Sequence, residues 1–151
     1  MTASADAGRT EIDEKTVGGD VVGIRFLDPN EAAYVRERIN NDPEFRMAGK
    51  FMSEDILIGV GDAQRIIKVR EGVITEIALD PSPLDKYSFF IKAPEKGWNL
   101  FLKPIPPPFY QGFFTAAMRE DFQFGGDVET LFAYYWAVQR MLAVMRELQN
   151  E

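Results

Sequence analysis

The chain contains no cysteine and no histidine. The first absence removes disulfides, thiolate nucleophiles and thiolate metal sites, and the second removes the commonest general base and metal ligand. Neither a cofactor nor a metal site is expected, and no catalytic residue stands out. Long hydrophobic runs are missing as well: nothing approaches the roughly 20 consecutive apolar residues of a membrane-spanning helix. The N-terminus lacks the basic-then-apolar order of a secretory signal. A cytoplasmic protein without stable membrane insertion is the expectation. Positive charge is scarce, 17 Lys and Arg against 24 Asp and Glu for a net charge of −7, the wrong sign for counterion-driven binding to nucleic acid.

What is abundant is aromatic and flexible apolar side chain: twelve Phe, five Tyr, two Trp and six Met among 151 residues. That is material for a large core or for a cavity, in a chain the size of one domain. Residues 1–20 hold almost no large apolar side chain and end near Gly18-Gly19, so they read as a disordered tail preceding a domain over 21–151.

The stretch Phe122 to Leu148 organises the rest. Phe122-Gln123-Phe124 alternates, Gly125-Gly126 stops the strand, and Asp127 supplies an N-cap oxygen. At about 100° per residue Leu131, Tyr134, Tyr135, Val138, Met141, Leu142, Met145 and Leu148 form one apolar arc, with Glu129, Arg140 and Glu147 opposite. This predicts one long amphipathic C-terminal helix.

Upstream, Asp28-Pro29 pairs an N-cap with proline at the first helical position, predicting a helix over 29–40. From Phe45 to Leu79 the pattern reads with period two: Phe45, Met47, Gly49 and Phe51 alternate with polar or small residues, and Ile56 to Val60 is a buried-type strand. The segments 65–70 and 73–79 flank Glu71-Gly72, a tight hairpin connection. Tyr87 to Ile91 adds a further strand. Short helices are expected over 93–102 and 109–118, separated by the stiff Pro104-Ile105-Pro106-Pro107-Pro108 connector. The fold class is α+β: an antiparallel five-stranded sheet covered on one face by helices, with a long C-terminal helix.

That order of elements resembles the sterol carrier protein 2 domain family. Phe122-Gln123-Phe124-Gly125-Gly126-Asp127 stands where the family has its last strand and the Gly-Asp entry to the C-terminal helix, and Gly97-Trp98-Asn99-Leu100-Phe101 resembles its short helix after the aromatic strand. The likeness spans about residues 29–148. This chain departs from the family at Ala117-Met118-Arg119, where a glycine turn is usual, and in its longer proline run. The resemblance implies a non-catalytic carrier that encloses a sterol, fatty acid, fatty acyl chain or other apolar small molecule in a tunnel between sheet and helices.

On that reading Phe45, Met47, Phe51, Ile67 and Phe89, with Val69 and Ile77, form a sheet floor, while Phe101, Phe109, Phe113, Tyr134, Val138 and Met141 form walls and lid. The competing reading is a filled core in an interaction module or accessory subunit of a partner enzyme. Other motifs carry less. Gly59-Val60-Gly61 lacks the third glycine of a dinucleotide loop and leads into a hairpin. The pairs Glu54-Asp55 and Glu120-Asp121 read as solvated turn residues, and Ser53, Ser82, Ser88 and Thr115 have no histidine to activate them. Trp136 and Phe132 project from the polar stripe of the last helix as a small apolar patch. The expectation is that residues 21–26 fold over them or that a second subunit covers them in a symmetric homodimer.

Overall fold

A computed structural model describes residues 23–151; the expectations for residues 1–20 and for Val21 and Val22 lie outside the described residues. The sheet has five strands: β1 (Asp55–Val60), β2 (Ala63–Arg70), β3 (Val73–Ala78), β4 (Phe89–Ala93) and β5 (Gln123–Gly126), in the order β3-β2-β1-β4-β5. The helices are α1 (Ala32–Asn40), α2 (Pro43–Ala48), α3 (Glu95–Phe101), α4 (Phe113–Arg119), α5 (Val128–Ala133) and α6 (Tyr135–Gln149).

The sheet is mixed, which corrects the purely antiparallel expectation. β1, β2 and β3 form the expected meander, with Glu71 and Gly72 both at positive φ in the connection that matches strand twist. β4, however, runs parallel to β1, pairing Ile56 with Phe89 and Ile58 with Ile91. A parallel neighbour needs a crossover, and residues 79–88 supply it by passing over the outer face above Leu57 and Ile66. β5 then adds antiparallel to β4.

A second correction concerns residues 43–51. They do not continue the sheet, because Asp42 caps α2 by accepting the Phe45 N–H at 2.9 Å, with Pro43 at the first helical position. Phe45 is buried, but Met47 and Phe51 point to solvent. The alternation was that of a six-residue helix and its exit turn, too short to show its own period.

The C-terminal helix follows the expected arc, with Leu131, Val138, Met141, Leu142, Met145 and Leu148 all buried. It is interrupted at Tyr134, which separates α5 from α6 and whose hydroxyl donates to the Phe51 carbonyl at 3.3 Å. Residues 23–27 cover the far end of α6 and leave Trp136 open. The Arg25 N–H donates to Gln149 Oε1 at 2.8 Å, and Phe26 packs edge-on to Trp98 at 5.5 Å.

Candidate functional site

One face of the sheet carries Ile56, Ile58, Val60, Ile67, Val69, Phe89 and Ile91, and the helices pack on that face in a continuous apolar core. Seven of the eleven side chains expected around a ligand join this core: Phe45, Ile67, Phe89, Phe101, Phe113, Val138 and Met141. Tyr134 is half-buried at its margin, and Phe109 is half-buried in the turn before α4. Met47 and Phe51 are not floor residues. Their exposures of 81% and 78% put them on the outside of the helical layer.

Most of the ring contacts fall into two clusters that meet at residues 122–124, and Tyr87 and Phe90 form a separate pair at 6.3 Å. Phe122 belongs to the first, with Trp98 at 4.8 Å, Phe101 at 5.1 Å and Tyr110 at 6.2 Å. This cluster is anchored, since the Trp98 indole N–H donates to the buried Gly59 carbonyl at 2.8 Å and Arg146 lies over the Phe101 ring. Burial, aided by the hydrogen bond it donates to Asp121 at 2.9 Å, pushes the Tyr110 phenol up to about 12.

Phe124, two residues further on and within β5, belongs to the second cluster. Phe113 lies 6.0 Å from it edge-on and 5.2 Å from Tyr135, while Phe114 stacks on it at 6.0 Å and meets Phe132 at 5.8 Å. Phe132 stacks on Tyr135 at 6.0 Å, and Tyr135 meets Trp136 at 5.0 Å. The rings therefore lead from the fully buried Phe113 to the part-exposed Phe114 and Phe132. The seven-residue α4 is seated through Phe113 and Phe114 on this cluster.

The expected helix over 109–118 begins only at Phe113. A turn in which the Tyr110 N–H donates to the Pro107 carbonyl at 3.1 Å occupies the preceding residues. Within it Phe109 has φ of +74°, a left-handed conformation that is strained for a bulky side chain. Arg119, from the far end of α4, holds its guanidinium 4.3 Å from the Phe109 ring. Phe124 was not singled out as a site residue from the sequence, Phe132 was expected only as part of an outward patch, and Tyr135 was expected only as an alternative to Tyr134 in offering a hydroxyl to the ligand's polar end. Their one signal was spacing: Phe124 on the inward register of the last strand, and Tyr135 on the apolar arc.

Three of the four acids in the two acidic pairs accept side-chain hydrogen bonds. Glu54 accepts a short hydrogen bond from the Ser88 hydroxyl, Asp55 accepts from Arg70 at 2.7 Å, and Asp121 accepts from Tyr110. Between α2 and α6 lies an open groove of about 370 Å³, lined by Met47, Ala48, Trp136 and Ala143, with Glu44, Gln139 and Arg140 also on its walls. Among the described residues, no helix is long and apolar enough to cross a membrane.

No family model matches the sequence, and no curated protein matches it at a significant level. Solved structures do. A crystal structure of sterol carrier protein 2 superposes with a TM-score of 0.64 at 18% identity, covering 80% of this chain and 97% of that one. The solution structure of a conserved hypothetical protein from Thermus thermophilus, described as possibly a sterol carrier protein, gives 0.61 at 18% identity, covering 82% and 90%. The chain has the sterol carrier protein 2 fold.

Proposed function

We propose that the protein is a non-catalytic carrier of an apolar small molecule, of the lipid, sterol or fatty acyl class, which it holds between the sheet and α4, α5 and α6. The observation that carries this reading is the second aromatic cluster, an unbroken series of ring contacts from the buried Phe113 to the part-exposed Phe114 and Phe132. Aromatic side chains move about two torsions and present apolar faces, so displacing them exchanges one apolar contact for another. Residues 109–119 act as the lid, with strain at Phe109 marking its hinge. The carrier fold of the two structural neighbours points the same way.

Delipidated protein titrated with a fluorescent polyene fatty acid and with a fluorescent sterol is expected to bind at least one of them saturably, one molecule per chain. Phe109→Gly, which relieves the left-handed strain, is expected to raise the rates of uptake and release several-fold in stopped flow while leaving the fold intact. Absence of saturable binding to both probes, and to acyl-coenzyme A, would reject the carrier reading. The closely packed Phe45, Ile67 and Phe89 would then be a filled core, and the chain an accessory subunit working through its surface.

A further inference from the structure

The polar face of the helical layer carries an apolar surface that the described residues leave uncovered. Met47 is 81% exposed, Phe51 78% and Trp136 72%, with Phe132 at the edge. Met47 and Trp136 both line the groove between α2 and α6, and Phe51 follows α2 in the chain, its carbonyl accepting from the Tyr134 hydroxyl at 3.3 Å. With aromatic side chains contributing 150–250 Å² each, these four leave roughly 600 Å² in solvent, at the top of the range for the largest patch on a typical monomer.

We infer that this face is the interface of a two-fold symmetric homodimer. A standard interface takes about 800 Å² from each partner, so four side chains supply most of one partner's share and Ala48 and Ala143 continue the surface. The shape is self-complementary as a two-fold contact requires: one patch holds both a protruding ring, Phe51, and an open groove able to receive it. The rim is self-complementary too. Glu44 lines the groove beside Arg140, with which it pairs at 3.2 Å, and Lys50 Nζ lies 5.3 Å from the Phe51 ring, so both signs border the patch. Mixed signs at the border suit a copy of the same surface. The dimer rests chiefly on Met47 and Phe51, which lie outside the aromatic cluster of the carrier reading.

The test is sedimentation velocity of the full chain from about 1 to 100 µM, roughly the span that separates a micromolar dimer from a monomer. Wild type is expected to show a reversible monomer–dimer equilibrium. Trp136→Glu and Met47→Glu, at exposed positions where the fold tolerates charge, are expected to raise the dimer Kd by roughly a hundredfold or more, as hot-spot losses do. Leu84→Glu, exposed on the crossover loop, is expected to leave it unchanged. A wild type that stays monomeric throughout, or variants that dimerise like wild type, overturns the inference. So does a monomer that floats with phosphatidylcholine–phosphatidylserine vesicles in a Trp136-dependent manner, which makes this a membrane face. Fatty-acid titration separates the two readings: Met47→Glu that binds the probe as a monomer supports the dimer as a distinct property, and a wild type that dimerises but binds no probe counts against the carrier alone.

Discussion

Replacing Asp42 isolates the joint that fixes α2 to α6. Its carboxylate accepts the Phe45 N–H at 2.9 Å as the α2 cap and takes a bidentate hydrogen bond from Arg140, at 2.9 Å from Nε and 2.7 Å from Nη2. The Asp42 side chain is 11% exposed and that of Arg140 24%, so the pair sits between the exposed case, worth about 0.2–1 kcal/mol, and the buried case, where breaking it costs about 3–5. Arg140 also keeps Glu44 and Glu147, each at 3.2 Å, which limits the loss. Asp42→Asn preserves the cap and removes the charge, and is expected to cost about 1–2 kcal/mol; Asp42→Ala removes both and is expected to cost about 2–3 kcal/mol. Urea unfolding at unchanged m-value measures both. The pH dependence has a definite sign. The Arg140 hydrogen bond, chiefly, holds the folded Asp42 below the 3.8 of a free aspartate, so the unfolded chain binds the proton first as pH falls. The pair therefore contributes fully above about pH 4 and is lost as pH falls through the lower folded value. The wild-type advantage over Asp42→Asn should shrink in that window. An advantage that persists undiminished at about pH 2.5, or is absent at about pH 7, would refute the assigned role.

Tyr110 ionises near 12 in the folded protein, so wild type and Tyr110→Phe should show the same alkaline absorbance change up to about pH 11 and diverge beyond it. Since the unfolded phenol ionises near 10, the stabilisation from Tyr110 is complete below that pH and declines as pH rises towards 12, a trend that thermal melts of the two proteins can compare. Gly72 has φ of +78°, and a Cβ there would stand 2.8 Å from the Gly49 carbonyl and 3.1 Å from that of Lys50. Gly72→Ala is expected to cost about 2 kcal/mol or more in urea unfolding, against almost nothing for Gly23→Ala, whose Cβ meets nothing within 4 Å.

The elements that could be read from the sequence were those whose signals are local. Glu71-Gly72 identified the β2–β3 hairpin, and the spacing of Leu131 through Leu148 identified both the buried face and the outward projection of Trp136. The capping signal of Asp42-Pro43 matches that of Asp28-Pro29, yet alternation of Phe45, Met47 and Phe51 prevailed over it. Two site residues were misplaced as a result. The parallel pairing of β1 with β4 has no local signature, because Ile56 to Val60 and Phe89 to Ile91 suit a buried strand in either direction. The same limit applies to the aromatic clusters: Phe122 and Phe124 differ in partners through what α3 and α4 bring to them, which spacing along one strand does not encode.

The parallel pairing also sets an order of events. β1, β2 and β3 are joined by tight turns and can pair as soon as residue 78 is available, whereas the second edge of β1 has no partner until residues 79–88 have crossed the sheet. During synthesis, the central strand of the mature sheet is therefore an unprotected edge strand, and Ile56-Leu57-Ile58 on it is the segment most open to wrong pairing. Lengthening or loosening the crossover would extend that interval without touching any contact of the finished molecule. Its effect would appear as a lower yield of folded protein more than as a lower melting temperature.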